Sequence, residues 1–250
     1  MGQKINPISL RVGGTRGWVS RWFFPAKNNV ATGKYPYAKL LEEDEVVRRI
    51  IKKKIAQAGV SAIEIDRTSN NLRVLIKAAR PGFIIGQGGK GIEDLNKAIV
   101  AGLKKLRGTE SKMKKGGMSL SVNVEELKRS EISAPHVAQQ MAWDLEKRMP
   151  FRRTMKKYID QIMQNKEVQG AKMLCGGRLD GAEIARHEST KRGRLPLQTL
   201  RTDIDYGTAT AFTTFGTVGI KVWIYKGEVF KSSADNESAA KKRMGRQSYS

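Results

Sequence analysis

Apolar residues recur along this chain with two periods, and each change of period marks a change of element. From Glu42, the positions Val47, Ile50, Ile51, Ile55 and Ala58 fall on one stripe of a helix. Glu42, Glu43, Asp44 and Glu45 suit its positive N-terminal end, and Gly59 is expected to stop it. Alternation replaces that period in "AIEIDR" and "LRVLIK", two strands joined at Ser69-Asn70-Asn71 by hairpin chemistry. After a glycine-rich stretch, helical spacing returns at Ile92, Leu95, Ile99, Leu103 and Leu106, and "MSLSVNVEEL" alternates again. A second series opens near Lys128. One helix over 131–149 is striped by Val137, Met141 and Leu145 and stopped by Pro150. Another runs from Phe151 to Asn165, with Phe151, Met155, Ile159, Ile162 and Met163 inward. Four strands follow, in "AKMLCGGRL", "AEIARHES", "TLRTDIDYGTATAF" and "VGIKVWIYKGEVF". Two helices before four strands predict a two-layer α+β domain.

Residues 1–40 have no period. Gly13, Gly14, Gly17, Gly33, Pro7, Pro25 and Pro36 alternate with Trp18, Trp22, Phe23 and Phe24, the composition of an irregular anchoring arm. The divisions expected are therefore 1–40 for the arm, 41–127 and 128–228 for two domains, and 229–250 for a disordered basic tail carrying Lys241, Lys242, Arg243 and Arg246.

Charge changes this picture from architecture to function. Against 24 Asp and Glu stand 47 Lys and Arg, a net charge of +23 over 250 residues. Such an excess repels itself in a compact chain and calls for a polyanionic partner, nucleic acid first. No run of about 18 apolar residues exists, so a membrane span is not expected. The opening residues carry no apolar leader. Cys175 is the one cysteine, which excludes an intramolecular disulfide and fits a buried thiol in a reducing cytoplasm.

The stretch "RPGFIIGQGGKG" (80–91) could approach phosphates in three ways. A Walker loop needs Gly where Ile84 stands and Ser or Thr where Gly91 stands, so that reading fails. Gly86, Gly88 and Gly91 match a dinucleotide fingerprint, but Arg80-Pro81-Gly82 separates them from the preceding strand, and the required acid is missing at its distance. The third reading is a short helix turning through Gly86-Gln87-Gly88-Gly89 into the next helix at Lys90. Backbone N–H groups at that turn suit phosphate, as in KH modules, which clamp about four nucleotides. The order helix, strand, strand, helix, helix, strand is that of the KH type II variety. A plain packing turn is the bland reading.

Those residues, with "MGQKINP" (1–7), "GRLDGAEIAR" (177–186), "LPLQTLRTDIDY" (195–206) and "TTFGTVGIKVWIYKGE" (213–228), resemble the bacterial small-subunit ribosomal protein three family across about residues 1–228. Three features depart from it. Gln87 and Gly88 fill positions that usually include a basic residue, with Lys90 one step on; the 107–117 loop looks expanded; the tail has no match. The resemblance implies a structural constituent of the small ribosomal subunit, cytoplasmic within the ribosome. Its implied partners are small-subunit rRNA, mRNA and neighbouring head proteins, small-subunit proteins ten and fourteen among them. No cofactor, metal, membrane or small-molecule substrate is implied, and no enzymatic activity.

"KRMPFRRTMKK" (147–157) contains no acid. On a helix, Arg152, Arg153, Lys156 and Lys157 share an arc of about 140° away from the apolar stripe. By resemblance this helix lines the mouth where mRNA enters, with Arg152, Arg153 and Lys156 gripping the strand and helping to unwind it. Arg148, Lys157, Arg178, Arg186, Lys191, Arg192 and Arg194 are possible rRNA contacts, each also readable as ordinary surface charge. His136 and His187 lack companions for a metal site. Asp203 and Asp205 alternate on one strand face, and neighbouring Arg201 is expected to pair with them. A free KH-type RNA chaperone, or a transcription or translation factor, is the rival reading.

Overall fold

The computed structural model describes residues 4–23, 37–68, 71–107, 119–127 and 132–230. The Ser69-Asn70 turn, nearly all of the 107–117 loop and the tail beyond Phe230 lie outside them.

Two apolar clusters organise the chain. The first belongs to α2 (Tyr37–Lys54), β1 (Val60–Arg67), β2 (Asn71–Ala78), α3 (Pro81–Ile85), α4 (Lys90–Arg107) and β3 (Ser119–Glu126). This is the type II KH order, α-β-β-α-α-β. β1 pairs antiparallel with β2, and β2 parallel with β3, so the order across the sheet is β1-β2-β3. Alternation along β2 buries Leu72, Val74 and Ile76 completely, beneath Val47 and Ile51 of α2 and Leu95 and Ile99 of α4. Gly59, at φ +65°, turns the chain from a 3-10 segment (Ala56–Ala58) into β1.

α2 differs from expectation at its start. It is already formed at Tyr37, so Glu42–Glu45 do not lead it. Glu43 and Asp44 instead turn inward and hold Arg67 of β1, at 2.6 Å each. All three side chains are nearly inaccessible.

The second cluster is built by α5 (Ala134–Glu146) and α6 (Phe151–Met163) on a four-stranded antiparallel sheet of order β5-β4-β7-β6. The strands are β4 (Gly170–Gly177), β5 (Arg186–Gly193), β6 (Thr202–Thr213) and β7 (Gly216–Glu228). The expected helix stripes are the ones buried: Val137, Met141 and Leu145 on α5; Phe151, Met155, Ile159 and Ile162 on α6. β5 lies four residues later than the apolar residues of "AEIARHES" predict. Ile184 is 82% exposed, whereas the edge strand is polar, alternating between the helix side and the open side.

The arm is a strap between the two clusters. After α1 (Pro7–Arg11), the Arg11 guanidinium is buried among carbonyls of the second domain, donating to Thr202 O, Leu197 O and Thr199 O at 2.8–3.0 Å. Burial pushes its pKa down, with Arg16 adding to the effect. Further on, Val19 O and the Arg21 N–H bond Ile65, extending the KH sheet beside β1. Trp22 is buried and donates from Nε1 to Asp44 Oδ2 at 2.7 Å.

Candidate nucleic-acid interface

At the glycine turn, Pro81 starts α3 as its first residue. The Gly86 N–H closes α3 on Gly82 O at 2.9 Å. Gly86, Gly88 and Gly89 then adopt φ of +68°, +62° and +81°, a run that side chains other than glycine tolerate poorly. The glycines divide by role. A Cβ on Gly91 would sit 2.5 Å from Ile84 O, and one on Gly86 would sit 2.9 Å from Gly91 N. Those two let α3 and α4 meet. Gly88 and Gly89 face open space, with nothing within 4 Å of the point a Cβ would occupy. Gln87, Gly88 and Lys90 are exposed around them, and Phe83 and Ile85 expose apolar surface on α3. The turn can offer backbone to a phosphate and apolar surface to a base. Gly91, which the sequence marked only through a dinucleotide pattern, proves to be a packing residue.

The second basic group is centred on α6. Its first turn carries Arg152 and Arg153 and no acid, against the sense of the helix dipole. Arg152, Arg153, Lys156 and Lys157 are all exposed, as the arc predicts. Their partners differ. Arg152 bonds Glu188 of β5 at 3.1 Å, and Lys157 meets Asp144 of α5 at 3.3 Å. The Arg152 guanidinium holds the Glu188 carboxyl below its usual range, and Arg186 adds to this from 3.4 Å. Arg153 and Lys156 have no carboxylate partner among the described residues. Arg148 stands at the α5–α6 corner at φ +63°.

The remaining cations scatter. Arg186 and Arg192 face α6, the latter paired with Asp160. Lys191 lies between them on β5 and points to the other side of the sheet. Arg178 bonds the carbonyls of Ala182 and Phe215, holding its own loop. Arg194 follows β5 at the mouth of a cleft lined also by Tyr225 and Phe230. These residues do not form one site.

The acidic pair on β6 and the single cysteine are engaged within the protein. Asp203 and Asp205 pair with Arg16 of the arm at 3.2 and 3.1 Å, and Asp205 also accepts from the Ala134 N–H at 2.7 Å. The expected partner Arg201 lies over the Phe230 ring instead. A bulge between Asp203 and Ile204 offsets the strand here, and the cation that fills the space comes from nearly 190 positions away. Cys175 is buried, its thiol pushed up to about 12 by burial first and by Glu188 second. Among the described residues, no group of three His, Cys, Asp or Glu could hold a metal. No described helix is long and apolar enough to cross a membrane.

Comparison with known proteins adds the lineage of these two modules. Residues 46–132 match the family model "KH domain", and residues 141–224 match "Ribosomal protein S3, C-terminal domain". Curated relatives named "Small ribosomal subunit protein uS3" align along nearly the whole chain. That of Desulfitobacterium hafniense is 47% identical, covering 92% of this chain and 94% of its own. That of Gluconobacter oxydans is 46% identical, with 92% of each covered. That of Hydrogenovibrio crunogenus is 42% identical, covering 98% of this chain and all of its own.

Proposed function

The chain belongs to the ribosomal protein S3 family, and from that premise we propose that α6 lines the path by which mRNA enters the subunit. Membership makes the protein an RNA-binding structural constituent of the small ribosomal subunit, and not an enzyme. The finer reading assigns Arg153 and Lys156 as the primary grip on the message, with Arg152 exchanging Glu188 for a phosphate when the strand is present. The observation that carries it is a pair of cations one turn apart on an exposed arc, without a carboxylate partner among the described residues and held by a helix whose other face is buried.

Cations fixed on a rigid helix hold phosphates of a separated strand while translocation supplies the work. Through Gly88, Gly89 and Lys90, the KH turn holds an rRNA backbone, and Phe83 and Ile85 are its apolar border. Arg148, Lys157, Arg178, Arg186, Lys191, Arg192 and Arg194 are secondary rRNA contacts in this reading. Arg178 is the weakest of these, because its guanidinium is spent on carbonyls. The division at about 40, 127 and 228 belongs to the same reading. So does a place in the head beside small-subunit proteins ten and fourteen, toward which exposed Trp18 and Phe23 are available and buried Trp22 is not.

A message with 4-thiouridine just downstream of the decoding site tests the α6 assignment. Irradiated ribosomes should yield cross-links on the peptide containing Arg153 and Lys156. Cross-links confined to other chains would refute the placement.

A further inference from the structure

The four-stranded sheet carries α5 and α6 on one face only. Met173 and Cys175 of β4, with Ile220, Val222 and Ile224 of β7, point into that core. Their neighbours therefore point out the other way. Register places Lys191, Lys172, Trp223 and Tyr206 in one row across β5, β4, β7 and β6. Leu174 and Lys221 stand in the row behind.

The row is closely associated. Lys172 Nζ lies 5.8 Å from the Trp223 ring centre, and the Tyr206 and Trp223 rings are tilted at 5.3 Å. None of the three lysines has a carboxylate partner among the described residues. No outward position of β4 from Lys172 to Gly176, nor its paired residue on β5, β7 or β6, is acidic. The α6 side of the same sheet differs in this respect, because Glu188 and Asp160 moderate its arginines.

We propose that this open face is a third RNA-binding surface, taking about two or three single-stranded nucleotides. Trp223 and Tyr206 receive the bases, while Lys172, Lys191 and Lys221 receive the phosphates. A four-stranded sheet presenting aromatics is a known form of single-strand recognition, because stacking accepts any base and flanking cations track the backbone. An acidic protein would be drawn by the lysines, but three cations in register with two aromatic rings repeat the alternation of phosphate and base along a single strand. An apolar partner would have to desolvate three ammonium groups that no described carboxylate pairs with. RNA answers to both halves of the surface. The platform lies on the sheet face opposite α6 and in a different domain from the glycine turn, so it stands apart from the two sites assigned above. It rests on the family's RNA binding only for the class of ligand.

The test is anisotropy titration of the full chain with a labelled single-stranded RNA dodecamer. Trp223→Leu and Lys172→Ala are each measured in the native background and in Arg153→Ala/Lys156→Ala. Each variant should weaken binding at least about fivefold in both backgrounds. Ultraviolet cross-linking of the native chain should mark the Val222–Lys226 segment. Unchanged affinity for both variants overturns the platform. So does a loss with Lys172→Ala that Trp223→Leu, folded by circular dichroism, does not share; that result would leave an acidic-partner surface. If Trp223→Leu does not fold, absence of the Val222–Lys226 cross-link refutes the proposal independently. An effect of the double α6 variant alone would support the mRNA path and reject this site.

Discussion

Arg67 holds two carboxylates at once, and all three groups are almost wholly out of water. Removing one member of a buried ion cluster leaves the others charged and without their partner. Arg67→Met should therefore destabilise the first domain by about 3–5 kcal/mol, because Glu43 and Asp44 lose their cation while staying buried. Chemical denaturation followed through tryptophan fluorescence measures this, and a loss under about 1 kcal/mol would show that the acids reach water. Gly88 gives the opposite kind of prediction. Its φ of +62° and ψ of 23° suit aspartate better than most side chains, and the space beside it is open. Gly88→Asp should still fold, at a left-handed cost of about 1 kcal/mol, and bind RNA roughly fivefold less tightly in the isolated first domain, as one exposed repulsion of about 1 kcal/mol requires. Equal affinity would make the turn a packing device only. Gly88 was legible in the sequence because glycine density is a local signal. Arg67, Arg11 and Arg16 were not, because their partners lie 23 to 191 positions away and no local pattern records such pairs.

Elements with a buried stripe were legible almost to their ends. α5 and α6 bury the residues their period named except Met163, which is half-buried at the end of α6, since 3.6-residue spacing against a sheet leaves little freedom. β5 was misplaced because an edge strand has little apolar alternation to read, and its register is set by β4. The contact of α5 with β1 was also invisible. There, His136 is packed against Gly59, where a Cβ would strike its ring, and Ser61 bonds Ser133 at 2.7 Å across the domains. Burial lowers the His136 pKa below 6.5, and Arg80 lowers it further. The unfolded chain therefore binds the proton more readily than the native one, so stability is complete above about pH 6.5 and declines as pH falls below it. His136→Gln should flatten that decline in thermal melts between pH 7 and pH 5. An unaltered slope would mean that the imidazole titrates freely in the junction.

On the scale of the whole molecule, a strap and a charge excess belong to one design. Arg11 and Trp22 tie the arm to both domains, which fixes the spacing of two basic surfaces on a chain of net charge +23. The charge, the two-domain order and the basic helix were all readable from composition and period. Which cations are already paired within the protein was not, because Glu188, Asp144 and Asp160 reach them from other elements. Among the described residues, the α6 cations left without a carboxylate are Arg153 and Lys156, and these two bear the central claim. It is tested most directly by elongation rates of ribosomes carrying Arg153→Ala/Lys156→Ala on messages with and without a stable hairpin. The variant should be slowed severalfold at the hairpin and match the native rate on the unstructured message; equal rates on both would contradict the account.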